Sequence, residues 1–186
     1  MLFTLIGCIL GIVLYYFISE TPFIALHYMK LSSTTYGFLS LIPYIAATSA
    51  LLISHYFAKG LTFKLTVKIG IFGSITFSIL MLIMFESGFV NIFSLFVLTA
   101  LIIAALSPSF GYAFAKAVAL SKDKSLGSST FIFIYMMLSS AIPYITKNFT
   151  KTLGVDVYPI ALIAISLSLI ILFILYTLND NYYERK

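Results

Sequence analysis

The stretch 87–115, SGFVNIFSLFVLTALIIAALSPSFGYAFA, contains no charged side chain and is longer than the roughly 20 apolar residues of helix that cross a 30 Å hydrocarbon core. Five further uncharged stretches flank it, at 1–19, 31–54, 69–85, 125–146 and 157–179, and nearly every Lys, Arg, Asp and Glu lies between them. None shows the alternation of apolar and polar residues over about ten positions that a membrane-spanning β-strand carries. The pattern predicts an all-α integral membrane protein. It is one domain over 1–186, with helices at about 2–26, 34–57, 65–85, 91–118, 127–146 and 158–178.

With 61% hydrophobic and 9% charged residues, the chain has too little polar surface to coat a water-soluble domain of its size. The net charge of +5 comes from basic residues scattered singly through short loops, which argues against a nucleic-acid surface. The single cysteine, Cys8, lies in the first apolar stretch and is read as a packing residue, so no disulfide or thiolate metal site is expected. The first basic residue is Lys30, so the opening stretch lacks the basic lead of a signal peptide and is read as a helix. A start so close to the membrane is expected of the later part of a longer protein.

With helices of alternating direction, one side of the membrane receives Lys59, Lys64, Lys68, Lys116, Lys122, Lys124, Arg185 and Lys186, and the other only Lys30, Lys147 and Lys151. Basic residues of short loops stay cytoplasmic, so both termini are expected inside. Ser33 or Thr34 is expected to cap helix 2, Asn91 to cap helix 4, and Pro159 to open helix 6.

Helix bends are expected at Pro22, Pro43, Pro108 and Pro143, since proline leaves a carbonyl without its helical donor. Glu20, at the outer end of helix 1 with Tyr16 one turn before it and Ser19 beside it, is an ionisable group at membrane depth and a functional candidate; the alternative is a solvated helix-end carboxylate. Ser109 and Tyr112 share a face with Lys116, whose ammonium reaches the cytoplasmic boundary. Ser40, Tyr44 and Thr48 form a stripe on helix 2, and Tyr135 and Ser139 lie one turn apart on helix 5. Such stripes face a substrate or bond helix to helix. Gly7 and Gly11 form a G-x-x-x-G spacing for close helix approach. His27 and His55 have no second ligand at metal spacing. There is no H-E-x-x-H, G-x-S-x-G, P-loop or dinucleotide fingerprint, so neither an enzyme nor a cofactor is expected.

The run 15–37, YYFISETPFIALHYMKLSSTTYG, resembles the seventh-helix region of bicyclomycin-resistance-type drug exporters of the major facilitator superfamily, through Ile18, Ser19, Pro22, Phe23, Leu31, Ser32, Tyr36 and Gly37. A second likeness follows, where Pro108 and a run of small residues lead through a basic loop to Leu126-Gly127-Ser128-Ser129. The resemblance implies the C-terminal six-helix half of a drug/proton antiporter in a bacterial inner membrane, encoded alone by a split or truncated gene. Its partners would be the lipid bilayer, a separately encoded N-terminal half or a second copy, a small-molecule drug and protons. Glu20 departs from the family, which has a small residue there, and Phe17 stands where tyrosine is common. Lys59-Gly60-Leu61-Thr62-Phe63-Lys64 would be the counterpart of the family's loop between helices 2 and 3. The other class of function is a non-transporting membrane interaction subunit or an inactive remnant.

The charge bias is tested with single cysteines in a Cys8→Ser background. Positions near Lys64, Ser125 and Lys186 should react only from the cytoplasm, and 148–154 only from outside. Labelling of the C-terminus by an impermeant thiol reagent added outside would overturn this orientation.

Overall fold

The computed structural model describes residues 2–56 and 62–184 and is 92% helical. Six helices are long and apolar enough to cross a membrane, which makes this a multi-pass helical membrane protein by length and composition. Helix α1 is Leu2–Phe23 and continues as a π-turn over Ile24–Tyr28; α2 is Ser33–Tyr56 and α3 Phe63–Glu86. A second π-turn, Phe93–Val97, leads into α4, Leu98–Ala119, followed by α5, Lys124–Leu153, and α6, Val157–Glu184. The end of the bundle formed by 24–33, 86–93 and 146–157 is called the outer end, after the charge bias. Lys59, Arg185 and Lys186 lie outside the described residues, as does the side chain of Lys151.

Helix starts follow from hydroxyl and carboxylate caps. Thr62 Oγ1 accepts from Leu65 N at 3.3 Å. Asn91 Oδ1 accepts from Ser94 N at 3.0 Å while Ser94 Oγ accepts from Asn91 N at 2.9 Å, a reciprocal cap at the position expected. On α2 the expectation is corrected, because Ser32 and not Ser33 or Thr34 is the cap, with its Oγ accepting from Thr35 N at 3.1 Å. Helix α5 is longer than expected at both ends. Asp123 Oδ1 accepts from Ser125 N and Leu126 N at 2.8 and 3.2 Å and so starts it early, and it runs past Lys147 until Gly154, whose φ of +60° a Cβ would disfavour.

Helices α1 and α4 form the centre, with 50% and 56% of their spans buried against 6% for α2 and 11% for α5. They pack on each other; α2 and α3 pack on α4, α5 and α6 pack on α1, and α3 packs on α6. Exchanging α1 with α4, α2 with α5 and α3 with α6 maps these pairings onto themselves. The α4–α5 packing breaks the relation, since α1 and α2 have no counterpart of like extent. At the middle of the α3–α6 contact Ser74 and Ser166 hydrogen-bond to each other in full burial, and Ser166 Oγ also donates to Leu162 O at 2.8 Å. Two clefts lie at opposite ends, related by the exchange in two of their walls but not in the third, since the second lacks a wall from α1. One of about 270 Å³ lies among α2, α3 and α4 by His55, Thr66 and Tyr112, and one of about 370 Å³ lies between α5 and α6 by Phe149, Val157 and Ala161.

Lipid is as apolar as leucine, so contact quality and not water exclusion holds these helices together. Gly7 and Gly11 supply the close approach: a Cβ on Gly7 would lie 2.8 Å from the Phe131 ring and 3.1 Å from Ala113 Cβ, and one on Gly11 2.7 Å from Tyr135 and 2.8 Å from Phe110. Tyr135 Oη donates to Gly11 O at 3.3 Å across the same contact. Buried Cys8 donates its S–H to Phe131 O at 3.8 Å, as a packing residue.

Gly11→Val should therefore cost about 1–3 kcal/mol of bundle stability through overpacking. Gly37→Ala, where nothing lies within 4 Å, should be neutral or stabilise by about 0.4–1 kcal/mol. Reversible denaturant unfolding of the chain in mixed micelles reads both, and a harmless Gly11→Val would contradict this packing.

Candidate functional site

The sequence-derived candidates divide between two places. On one side of the bundle α2 and α5 leave an open face floored by α1. Tyr44 of α2 is 39% exposed and meets Phe17 of α1 edge-on, ring centroids 6.1 Å apart. Tyr135 of α5 is half-buried, and Tyr15 and Tyr44 are within electrostatic range of it. Ser19 is exposed and its Oγ donates to Tyr16 O at 3.1 Å. Ser40 is half-buried, with its Oγ donating to Gly37 O at 2.8 Å. Three helices thus bring tyrosine rings and hydroxyls to a common surface, which suits flat, partly apolar molecules.

Of the remaining candidates Tyr16, Ser109 and Ser139 are buried in the bundle, Glu20 is half-buried, and Tyr112 is 42% exposed at the cleft among α2, α3 and α4. Tyr16 is 1% exposed and stacks on Tyr158 of α6 at 5.3 Å, a partner that spacing along helix 1 does not reveal. Ser109 is fully buried, and a Cβ on Gly70 of α3 would meet its Oγ at 3.5 Å. Tyr112 stacks on Phe63 of α3 at 5.1 Å. The Ser109–Tyr112 stripe is therefore turned to α3, away from the open face, while Lys116 on the same helix is exposed one turn before the end of α4. Ser139 is 1% exposed beside Tyr135, which is its polar neighbour without reaching full hydrogen-bond geometry.

Glu20 is half-buried and opens on a cavity of about 10 Å³ with Phe23, Ile24, Gly154, Val155, Val157 and Tyr158, at the outer end and behind the tyrosine face. Tyr158 Oη lies 3.3 Å from Thr99 Oγ1, and Thr21 Oγ1 is 3.4 Å from Tyr36 Oη while donating to Phe17 O at 2.6 Å. Thr146 of α5 is the hydroxyl nearest Tyr16 Oη, short of full hydrogen-bond geometry. Thr99 and Thr21 were not singled out by sequence, and Tyr158, which its place near a helix end marks as an interfacial ring, is instead buried; hydroxyls opposite one another on different helices become visible only once the helices are packed.

Pro22, Pro43, Pro108 and Pro143 all lie inside helices. The run Ile-Pro-Tyr-Ile occurs at 42–45 and again at 142–145, with Pro43 ten residues after the start of α2 and Pro143 ten residues before the end of α5. Among the described residues no three His, Cys, Asp or Glu side chains gather into a metal site.

No protein-family model, curated protein or solved structure matches this chain.

Cysteines introduced at Ser19 and Tyr44 in a Cys8→Ser background should react with a small permeant maleimide many times faster than cysteines at Ser109 and Ser139. Equal rates would show that the open and packed sides are wrongly assigned.

Proposed function

We propose that the chain is one half of a two-bundle transporter, similar to the C-terminal bundle of major facilitator drug/proton antiporters, and that it works against a second six-helix bundle. The observation that supports this most is the pairing of helices, which repeats when the first three are exchanged with the last three. That is the relation expected of inverted three-helix repeats, each half of such transporters being built from two. The α2–α3 and α5–α6 walls of two clefts at opposite ends of the bundle follow the same relation, while the α4 wall of the first has no α1 counterpart in the second.

The tyrosine face is the surface proposed to meet a small-molecule cargo and the second bundle. Tyr15, Tyr44 and Tyr135 provide stacking surface with few fixed hydrogen bonds, an arrangement suited to varied aromatic or cationic compounds. Phe17 edge-on to Tyr44 narrows this surface. Cargo bound there would be released by rocking one bundle against the other around the site, which a single bundle cannot do. The polar groups on the face do not themselves force a partnership. Ser40 and Thr48 donate to Gly37 O and Tyr44 O of their own helix at 2.8 and 2.9 Å, so they tolerate lipid, and the need for a partner is mechanical.

Expression of the chain alone should give no drug resistance, and co-expression with a cognate first-half bundle should give resistance that Tyr44→Ala and Tyr135→Ala both reduce. A lone bundle, monomeric in bilayers, that moves a drug against its gradient would overturn the proposal.

A further inference from the structure

Glu20 lies within the first apolar span, eight residues before its last residue, Tyr28. A carboxylate at such depth is costly unless it is paired, hydrated or protonated. Glu20 opens on a cavity of about 10 Å³, the room of a single water, lined by Phe23, Ile24, Tyr158 and the residues that open α6. One turn earlier on the same face, Tyr16 is 1% exposed and its Oη has no hydrogen-bond partner. Tyr16 and Tyr158 are stacked at 5.3 Å, so the unpaired hydroxyl and the cavity wall belong to one rigid aromatic pair. Tyr16 interacts electrostatically with Glu20, and its buried hydroxyl can donate to the carboxylate when that is ionised and accept from the carboxyl when it is neutral.

We propose that Glu20, with Tyr16 and Tyr158, forms a proton-binding site in the crevice between α1 and the start of α6. The carboxylate takes one proton from water at the outer end and returns it there. In the ionised form Tyr16 Oη donates to the carboxylate directly or through the cavity water; in the neutral form the carboxyl donates to Tyr16 Oη. The start of α6 contributes the positive end of its helix dipole, which holds the ionised form and loses its hold on protonation. Proton uptake therefore loosens α6 from α1 on the side opposite the tyrosine face, so a proton and a molecule on that face do not compete for space. The site stands on the crevice geometry and does not depend on a transport role. Other titratable groups near it are His27, stacked on the cavity residue Phe23 at 5.0 Å, Asp156 in the turn before α6, whose Oδ1 is buried without a hydrogen-bond partner, and Tyr36 of α2, within electrostatic range of Tyr158.

The test is pH-difference infrared spectroscopy of the full chain in lipid nanodiscs, reading the C=O stretch of a protonated carboxyl. A reversible band is expected that is lost in Glu20→Gln and kept in Glu86→Gln and Asp156→Asn. In Tyr16→Phe its midpoint should rise by about half to one pH unit, because a donor to the ionised form is gone. Glu20→Asp, which keeps a carboxyl, should retain the band at a moved midpoint and serves where Glu20→Gln does not fold. A band that survives Glu20→Gln, a band lost in Asp156→Asn, or a midpoint indifferent to both Tyr16→Phe and Glu20→Asp would overturn the assignment. So would a midpoint that moves when sodium replaces choline at constant ionic strength, since the occupant would then be a metal cation.

Discussion

The crossing of α1 and α4 is the contact on which the rest of the bundle depends. Every other helix packs on at least one of these two, and α3 with α6 joins the two sides from behind. In hydrocarbon this crossing gains nothing from expelling water, so it rests on how closely backbones and rings can approach. Gly7 and Gly11 lie at the point where α1 meets both Ala113 and Phe110 of α4 and Phe131 and Tyr135 of α5. Removing side-chain volume on α1 there lets three helices share one layer.

The second constraint is that no backbone or hydroxyl group can be left for lipid to satisfy. Ser40, Thr48, Ser54, Ser140 and Ser168 all turn their hydroxyls back to carbonyls three or four residues earlier. They are chemically quiet on a lipid-facing surface. The hydroxyls that do connect helices, Ser74 with Ser166 and Thr99 with Tyr158, lie where the surrounding packing is tightest. Buried groups left over from this rule, Tyr16 Oη, Ser78 Oγ, Ser109 Oγ and Ser139 Oγ among them, are where the fold retains unused bonding capacity.

The helices were legible in the sequence because charge is so expensive at membrane depth that its absence over some 20 residues has few other meanings. Their ends were less so. Lys147 reads as a loop residue although the helix continues past it to Gly154, since a lysine at a boundary reaches water from within a helix. Asn91 was legible as a cap because its partner Ser94 is three residues away; Ser32 was not, with two further hydroxyl residues competing beside it. Spacing placed Ser109 and Tyr112 on one face correctly, but a face has no direction until its neighbours are known, and this one turns to Gly70 and Phe63 of α3. The likeness to drug exporters rests on short runs of residues, while the exchange relation among helices rests on packing, and neither derives from the other.

Pro43 and Pro143 bring no N–H to the carbonyls of Leu39 and Ser139, on the two helices that flank the open face. A helix missing one rung is softest in bending at that rung. Each wall of the tyrosine face thus has one point of easiest bending, and its width is less firmly set than the glycine-mediated crossing of α1 and α4.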